Sequence, residues 1–399
     1  MTSVLNAPRA MRLLEAAGVD ALVATSFQNV FYLAGYVGFS QRVLPATQVY
    51  AVARADALDQ PVLVAPLGDL DMLAQVPARL GGVHPYGRFF VEPRRNGALL
   101  TEELARYEPL ALQDPGGTPA GALLEELARL PSGARIALDE SGLAPQVRDA
   151  VLAQFGERVV PGADLLARIR MVKTREEIDR LERSALVMEA SIQAALAAAH
   201  AGMSEAEMAR VFDARTVEQG AAPHFTVIAF GERAAFPNAV PSPARRLRRG
   251  DLIRFDVGCI VDLYRSDISR TAVFGPPSAD VRQAYEAILA GEERALEAMR
   301  PGVPAREVFD AAMRGVQSAG LPGYRRHHVG HGIGLETYDL PMLNPATETP
   351  LESGMVFEVE TPYYELGFGG VQVEDTVVVT DEGCGLLTRS SRELTVIGT

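Results

Sequence analysis

Two stretches of this 399-residue chain carry carboxylates at chemically informative spacings. In LIRFDVGCIVDLYRSDISRTAVF (252–274), apolar and β-branched residues flank a short turn, predicted at Val261 and Asp262. A turn there makes Asp256 and Asp267 cross-strand partners on one hairpin face, with Cβ atoms roughly 4.5–5.5 Å apart. In MVFEVETPYYELGFGGVQVEDTVVVT (355–380), Glu360 and Glu374 are symmetric about Gly367 and meet in the same way across a longer loop. Carboxylates opposed like this repel unless a proton or a cation lies between them. A third stretch, HHVGHGIGLETYDLP (327–341), sets three histidines among glycines. Two acid pairs and a histidine from that turn form a mostly oxygen donor set with about four negative charges, suited to two divalent ions. Hard carboxylates favour manganese or a similar ion over a sulfur-bound structural zinc. Two ions roughly 3.5–4 Å apart hold a bridging water, lower its pKa and polarise a carbonyl or phosphoryl group, which is the chemistry of a hydrolase.

The hairpins need elements to position them. The first 160 residues alternate short apolar runs (DALVAT, VYAVARA, PVLVAP, ARIALDE) with amphipathic stretches, the pattern of an α/β layer. RIRMVKTREEIDRLERSA then opens a helical stretch running to His200, which sets a boundary near residues 160–172 and predicts domains 1–165 and 166–399. Beyond it, long helices precede strand pairs, an α+β plan. A faint repeat matches GMSEAEM to GVPAREV, pairing Gly202 with Gly302 and Glu207 with Glu307, and each copy runs helically to Gly220 or Gly320. Ser204 and Glu207 form a predicted capping box, and Pro304 suits the first turn of its helix.

Composition narrows the function class. With 48% apolar and 22% charged residues the chain is an ordinary globular one. A net charge of -13 disfavours nucleic acid, which needs a basic footprint. The one basic run, PARRLRRGD (243–251), is read as a solvated loop. Cys259 and Cys384 form no close-spaced pair and are read as structural thiols. Neither a signal core nor a long uncharged apolar run is present, so no membrane partner and a cytoplasmic location are expected.

The string DVGCIVDLYRSDISRT resembles the aspartate segment of the M24 "pita-bread" metallopeptidases, GHGIG resembles their metal-histidine loop, and GGVQVEDT resembles their closing strand. The region before residue 166 resembles the creatinase-type domain of the family's proline-peptidase branch, which holds Xaa-Pro dipeptidases and aminopeptidase P. The resemblance implies an α/β creatinase-like domain followed by an α+β pita-bread catalytic domain. It also implies two divalent ions, manganese first and cobalt or zinc next, held by Asp256, Asp267, His331, Glu360 and Glu374. Glu360 would move the attacking hydroxide's proton, and His327 would be a catalytic pocket residue contacting substrate, while His328 has no role assigned and is read as structural. The implied substrate is a proline-containing dipeptide or short peptide, and the implied assembly is a homodimer, in which Arg42 of GFSQRVLP could approach a partner's site.

The chain departs from the family pattern around this set. Asn238 stands where a histidine usually follows proline, Tyr338 and Asp339 replace the usual HE, ETP replaces EPG after Glu360, and Gln372 replaces the arginine two before the last glutamate. Asn238, Tyr338, Asp339 and Gln372 are therefore expected on the substrate side. Asparagine and tyrosine still donate hydrogen bonds, but neither exchanges a proton near neutral pH as imidazole does. Two other readings fit a rewritten surround: an M24 hydrolase of another C–N bond or a peptidase of different end-specificity, and a non-catalytic binding protein on the same fold. His84 and His200 are read as surface or capping groups, and His224 as a packing residue, with approach to the pocket as the alternative.

Overall fold

The computed structural model describes residues 4–44, 46–95 and 99–398. Two compact units divide at Arg170 and Met171, five residues beyond the sequence-drawn boundary. The reason is local: the helix Ala163–Arg170 closes the first unit, and a capping box at Thr174 and Glu177 starts a separate helix, Arg175–Ala197.

The first unit is a six-stranded mixed sheet in the order Gly82–Tyr86, Val62–Pro66, Tyr50–Arg54, Ala21–Ala24, Ile136–Leu138, Val159–Pro161. The strands read DALVAT, VYAVARA and PVLVAP in sequence, and most of their apolar residues are buried. Leu123, Leu127, Val147 and Val151 of the helices Pro119–Ala128 and Pro145–Phe155 join the core against Val23, Val52 and Ile136. His84 is not a free surface group: its ring lies 3.3 Å from Glu125 and 3.4 Å from Glu126. Arg42 is exposed on the short helix Phe39–Val43.

The second unit is built on one long sheet. Its order is Asp339–Met342, Gly330–Gly332, Val356–Glu360, Glu374–Val379, Ile268–Phe274, Leu252–Val261, Ala222–Phe230, with antiparallel neighbours throughout this path. Period-two alternation decides its two faces. Ile253, Phe255 and Val257 pack with Met188, Ile192 and Phe212 of the helices Arg175–Ala197 and Glu205–Glu218. Phe357, Val359, Val377 and Val379 pack with Val308 and Ala312 of the helix Ala305–Ser318. Each buried ring of this kind contributes roughly 3–5 kcal/mol when compared with alanine. The residues between them, Arg254, Asp256, Glu358, Glu360 and Glu374, are turned to the opposite face.

The repeat read from sequence has a structural counterpart. The two helices that follow Gly202 and Gly302 are both 14 residues long. Those glycines share a left-handed backbone, with φ of 85° and 87°. The Ser204 and Glu207 capping box forms, while Pro304 sits at the N-cap, one place before the predicted first turn. Both cysteines are free thiols. In the basic run, Arg245 is not solvated, because Glu232 and Asp251 clamp it at 3.0 and 2.8 Å. Among the described residues, no helix is long and apolar enough to cross a membrane.

Candidate metal centre

Five neighbouring strands bring the acids and a histidine to one place. Glu360 lies opposite Glu374, as the symmetry about Gly367 predicts. Glu374 lies opposite Ser269, and Ser269 opposite Asp256. That rung therefore reads Glu360, Glu374, Ser269, Asp256 across the sheet, all on one face. On the adjacent rung His331 lies opposite Glu358, and Glu358 opposite Thr376. Asp267, two residues before Ser269, joins the same face.

The first hairpin corrects the sequence reading. Asp256 pairs with Ser269 rather than with Asp267, because the turn is Asp262 and Leu263, not Val261 and Asp262. Both turn residues have positive φ, 47° and 73°, as a two-residue turn of primed type requires. A β-branched valine resists that conformation whereas aspartate tolerates it, so the turn moves on by one residue. Arg183 fixes it by donating to the Asp262 carboxylate at 2.8 Å. The move shifts the register by two, which keeps Asp256 and Asp267 on one face but makes them diagonal neighbours.

Asp267, His331 and Glu374 offer ligand atoms that all lie within 4.8 Å of one another. Asp267, Glu358, Glu360 and Glu374 are buried, and Asp256 keeps 19% side-chain exposure. Burial is the largest cause raising the pKa of each; neighbouring acids add to it at Asp267, Glu358, Glu360 and Glu374, while Arg254 opposes it at Asp256. Glu360 is pushed up to about 7, by burial and then by the Asp256 charge, against the opposing pull of Arg326 and Arg254. Burial also pushes His331 down to about 4, which keeps the ring neutral, as a ligand must be. Its Nδ1 faces the Gly332 carbonyl at 3.1 Å, leaving Nε2 toward Asp267 at 3.8 Å. Asp267 Oδ1 and Glu358 Oε2 are buried without a hydrogen-bond partner among the described residues. Orphaned carboxylate oxygens, mutual repulsion and a neutral imidazole are what a hard divalent cation satisfies, so this donor set fits such ions.

The surrounding residues divide differently from the sequence expectation. His328, read as structural, is buried with Nδ1 3.2 Å from Glu360 Oε1, and burial lowers its pKa to about 3. His327 is exposed, its ring centroid 4.3 Å from that of His328. Tyr338 stacks on the His331 ring at 3.8 Å and remains half exposed. Burial, followed by the charges of Glu360, Asp267, Glu374 and Asp256, raises its phenol pKa, so it stays a hydrogen-bond donor. Asp339 is turned inward rather than toward a substrate: it is 5% exposed and 3.6 Å from Lys173. Gln372 is buried and donates to Glu360 at 3.3 Å. Asn238 is exposed in the turn after the short helix Gly231–Ala235. His224, read as packing, is exposed and bonds Thr337 at 3.2 Å.

Glu358, Arg254 and Arg326 are site residues that the sequence reading passed over. Glu358 was visible, because it sits two positions before Glu360 and a strand puts both on one face. Arg254 stands in the same relation to Asp256. Arg326, 3.8 Å from Glu360, carries no comparable signal.

Both units resemble known proteins. The model of metallopeptidase family M24 matches residues 179–381, and that of the creatinase/prolidase N-terminal domain matches residues 8–172. A protein named Xaa-Pro dipeptidase from Pyrococcus furiosus is 38% identical over 233 residues, which cover 58% of this chain and 67% of that protein. Among solved structures, the dipeptidase PepE of Mycobacterium ulcerans superposes with a TM-score of 0.78 at 28% identity, covering 98% of this chain and 96% of that one. The prolidase of Pyrococcus furiosus superposes with a TM-score of 0.74 at 26% identity, covering 96% and 99%.

Proposed function

The chain belongs to metallopeptidase family M24, and on that premise we propose that it hydrolyses the Xaa-Pro bond of dipeptides or short peptides. The proposed ligands of two divalent ions, manganese foremost, are Asp256, Asp267, His331, Glu360 and Glu374. The observation that carries the reading is the convergence of four acids and one neutral histidine on a single sheet face, with every acid's pKa raised. The name Xaa-Pro dipeptidase carried by the Pyrococcus relative supports the substrate class. Proline's tertiary nitrogen and fixed φ keep it out of many ordinary peptidase sites, which gives such an enzyme a distinct task.

Bound ions would supply an activated water and polarise the scissile carbonyl. The side chains supply the remainder. Glu360, with His328 Nδ1 3.2 Å from its carboxylate, would accept the water's proton and return it to the leaving nitrogen. Tyr338 offers a protonated phenol beside His331 to the substrate's oxygen. His327 and Asn238, both exposed, contact the ends of the peptide. Gln372 orients Glu360, and Asp339 is held by Lys173.

The test is hydrolysis of Xaa-Pro dipeptides, longer Xaa-Pro peptides and end-blocked versions, with manganese, cobalt, zinc or chelator. Cleavage of the free dipeptide restored by manganese supports the proposal. Full ion occupancy with no cleavage of any of these peptides would redirect it to another C–N bond, a reading favoured by Asn238, Tyr338 and Gln372 in place of His, His and Arg.

A further inference from the structure

The rung next to the acids, on the side away from His331, holds Arg254, Thr271 and Gln372. Arg254 lies opposite Thr271, two residues before Asp256 and so on the same face. It is fully buried. Its Nη1 donates to Asp256 Oδ2 at 3.0 Å and to Gln372 Oε1 at 2.8 Å. Its Nη2 donates to the carbonyls of Phe236 at 2.6 Å and Pro237 at 2.9 Å, the two residues leading to Asn238. The guanidinium lies 5.1 Å from the Tyr364 ring.

Gln372 is fixed just as closely. Its backbone N–H donates to Thr271 Oγ1, and that hydroxyl donates to the Gln372 carbonyl, both at 2.9 Å. Its side-chain oxygen accepts from Arg254 and from the Tyr364 hydroxyl at 3.0 Å. Two donors on one end of an amide identify that end as the oxygen. The NH2 end must therefore face Glu360 Oε2, 3.3 Å away.

We propose that Arg254 and Gln372 act as one positioning unit, in which a single guanidinium holds two acids of the face in place. Arg254 is then the positioning residue that sets Asp256 directly, sets Glu360 through Gln372, and ties the Asn238 turn to both. The inference rests on the two-ion reading of the site and adds no contact with substrate.

Each half of the pair requires the other. An arginine at 372 would bring a second guanidinium to the 2.8 Å contact and remove the acceptor that Arg254 uses. A neutral residue at 254 would leave the Asp256 oxygen and two carbonyls short of donors in a buried site. Lysine cannot replace the fork, since one ammonium with three donors does not satisfy the four acceptors that Arg254 serves.

Calorimetric titration with Mn2+, beside thermal melting without metal, tests the pair in R254Q, Q372R, R254Q/Q372R and R254K. Each single substitution is expected to weaken Mn2+ binding by about 10–100-fold, as loss of a ligand's outer partner does. Because both single substitutions break the same Arg254–Gln372 contact, the double swap is expected to be weakened by clearly less than the product of the two singles. R254K is expected to stay more than about tenfold weaker. Unchanged binding in R254Q, or a double swap as weak as the product of the two singles, overturns the inference. If R254Q fails to fold, R254K and Q372R carry the test, and unchanged Mn2+ binding in both overturns it. A natural protein that binds Mn2+ and cleaves no Xaa-Pro peptide refutes the proposed function while this binding cycle still decides the role of Arg254. A natural protein that binds no Mn2+ overturns both.

Discussion

Each acid of the centre is held where its charge is costly, and the individual costs set testable behaviour. Asp267 has no cation among the causes that shift its pKa: burial leads, and Asp256, Glu358 and Glu360 all push the same way. Replacing it by asparagine removes one ligand and one charge, and the expected result is loss of one ion per chain and a fall of at least about a hundredfold in turnover. Ion counting by mass spectrometry under native conditions, with a rate measurement, checks both. Glu360 behaves as a pH reporter. Its folded pKa is raised from an ordinary 4.5 to about 7, so the folded chain binds more protons than the unfolded chain between those values. The burial penalty is absent below about pH 4.5, grows as pH rises and is complete above about 7. Without metal, stability should therefore fall across that window, and saturating Mn2+ should remove or reverse the fall. Melting temperatures at matched pH with and without the ion check the sign.

At the scale of elements, the hairpins show what spacing can and cannot specify. Glu360 and Glu374 were readable as partners because the loop between them is symmetric about Gly367, and the register follows. The aspartate hairpin was misread by two residues, because the turn is decided by which side chains accept positive φ at Asp262 and Leu263. The chemistry survived the misreading, since an even slip preserves the face. The histidine turn was less legible. Which of the adjacent rings of His327 and His328 enters the site depends on how the chain meets the strand Gly330–Gly332, and that strand depends on distant contacts. Gly330 has φ of 145°, and a Cβ there would lie 2.1 Å from the Glu358 carbonyl oxygen. Gly330→Ala should thus force apart the two strands bearing His331 and Glu358, at a cost of about 1–3 kcal/mol. Urea unfolding, with Mn2+ affinity measured on the folded fraction, tests whether the two losses occur together.

For the whole molecule, the helices explain why the acids are tolerated at all. The helices packed through Met188, Ile192, Phe212, Val308 and Ala312 cover the apolar face of the long sheet, and the repeat visible at Gly202 and Gly302 supplies one such helix to each half. The opposite face is thereby left for charge, and the two hairpins, one from each half, deliver it. The alternation that makes the core was legible in sequence, as were the two domains and the acids themselves. The neighbours that orient those acids were not, because Arg254, His328 and Lys173 act through pairings between segments far apart in the chain. We propose that two divalent ions at this face drive cleavage before proline. The most direct test is to strip the protein completely of metal and follow hydrolysis of an Xaa-Pro dipeptide as Mn2+ is added back. No cleavage in the stripped protein and full recovery by two ions per chain are expected, whereas cleavage that survives complete metal removal would rule out metal-driven hydrolysis.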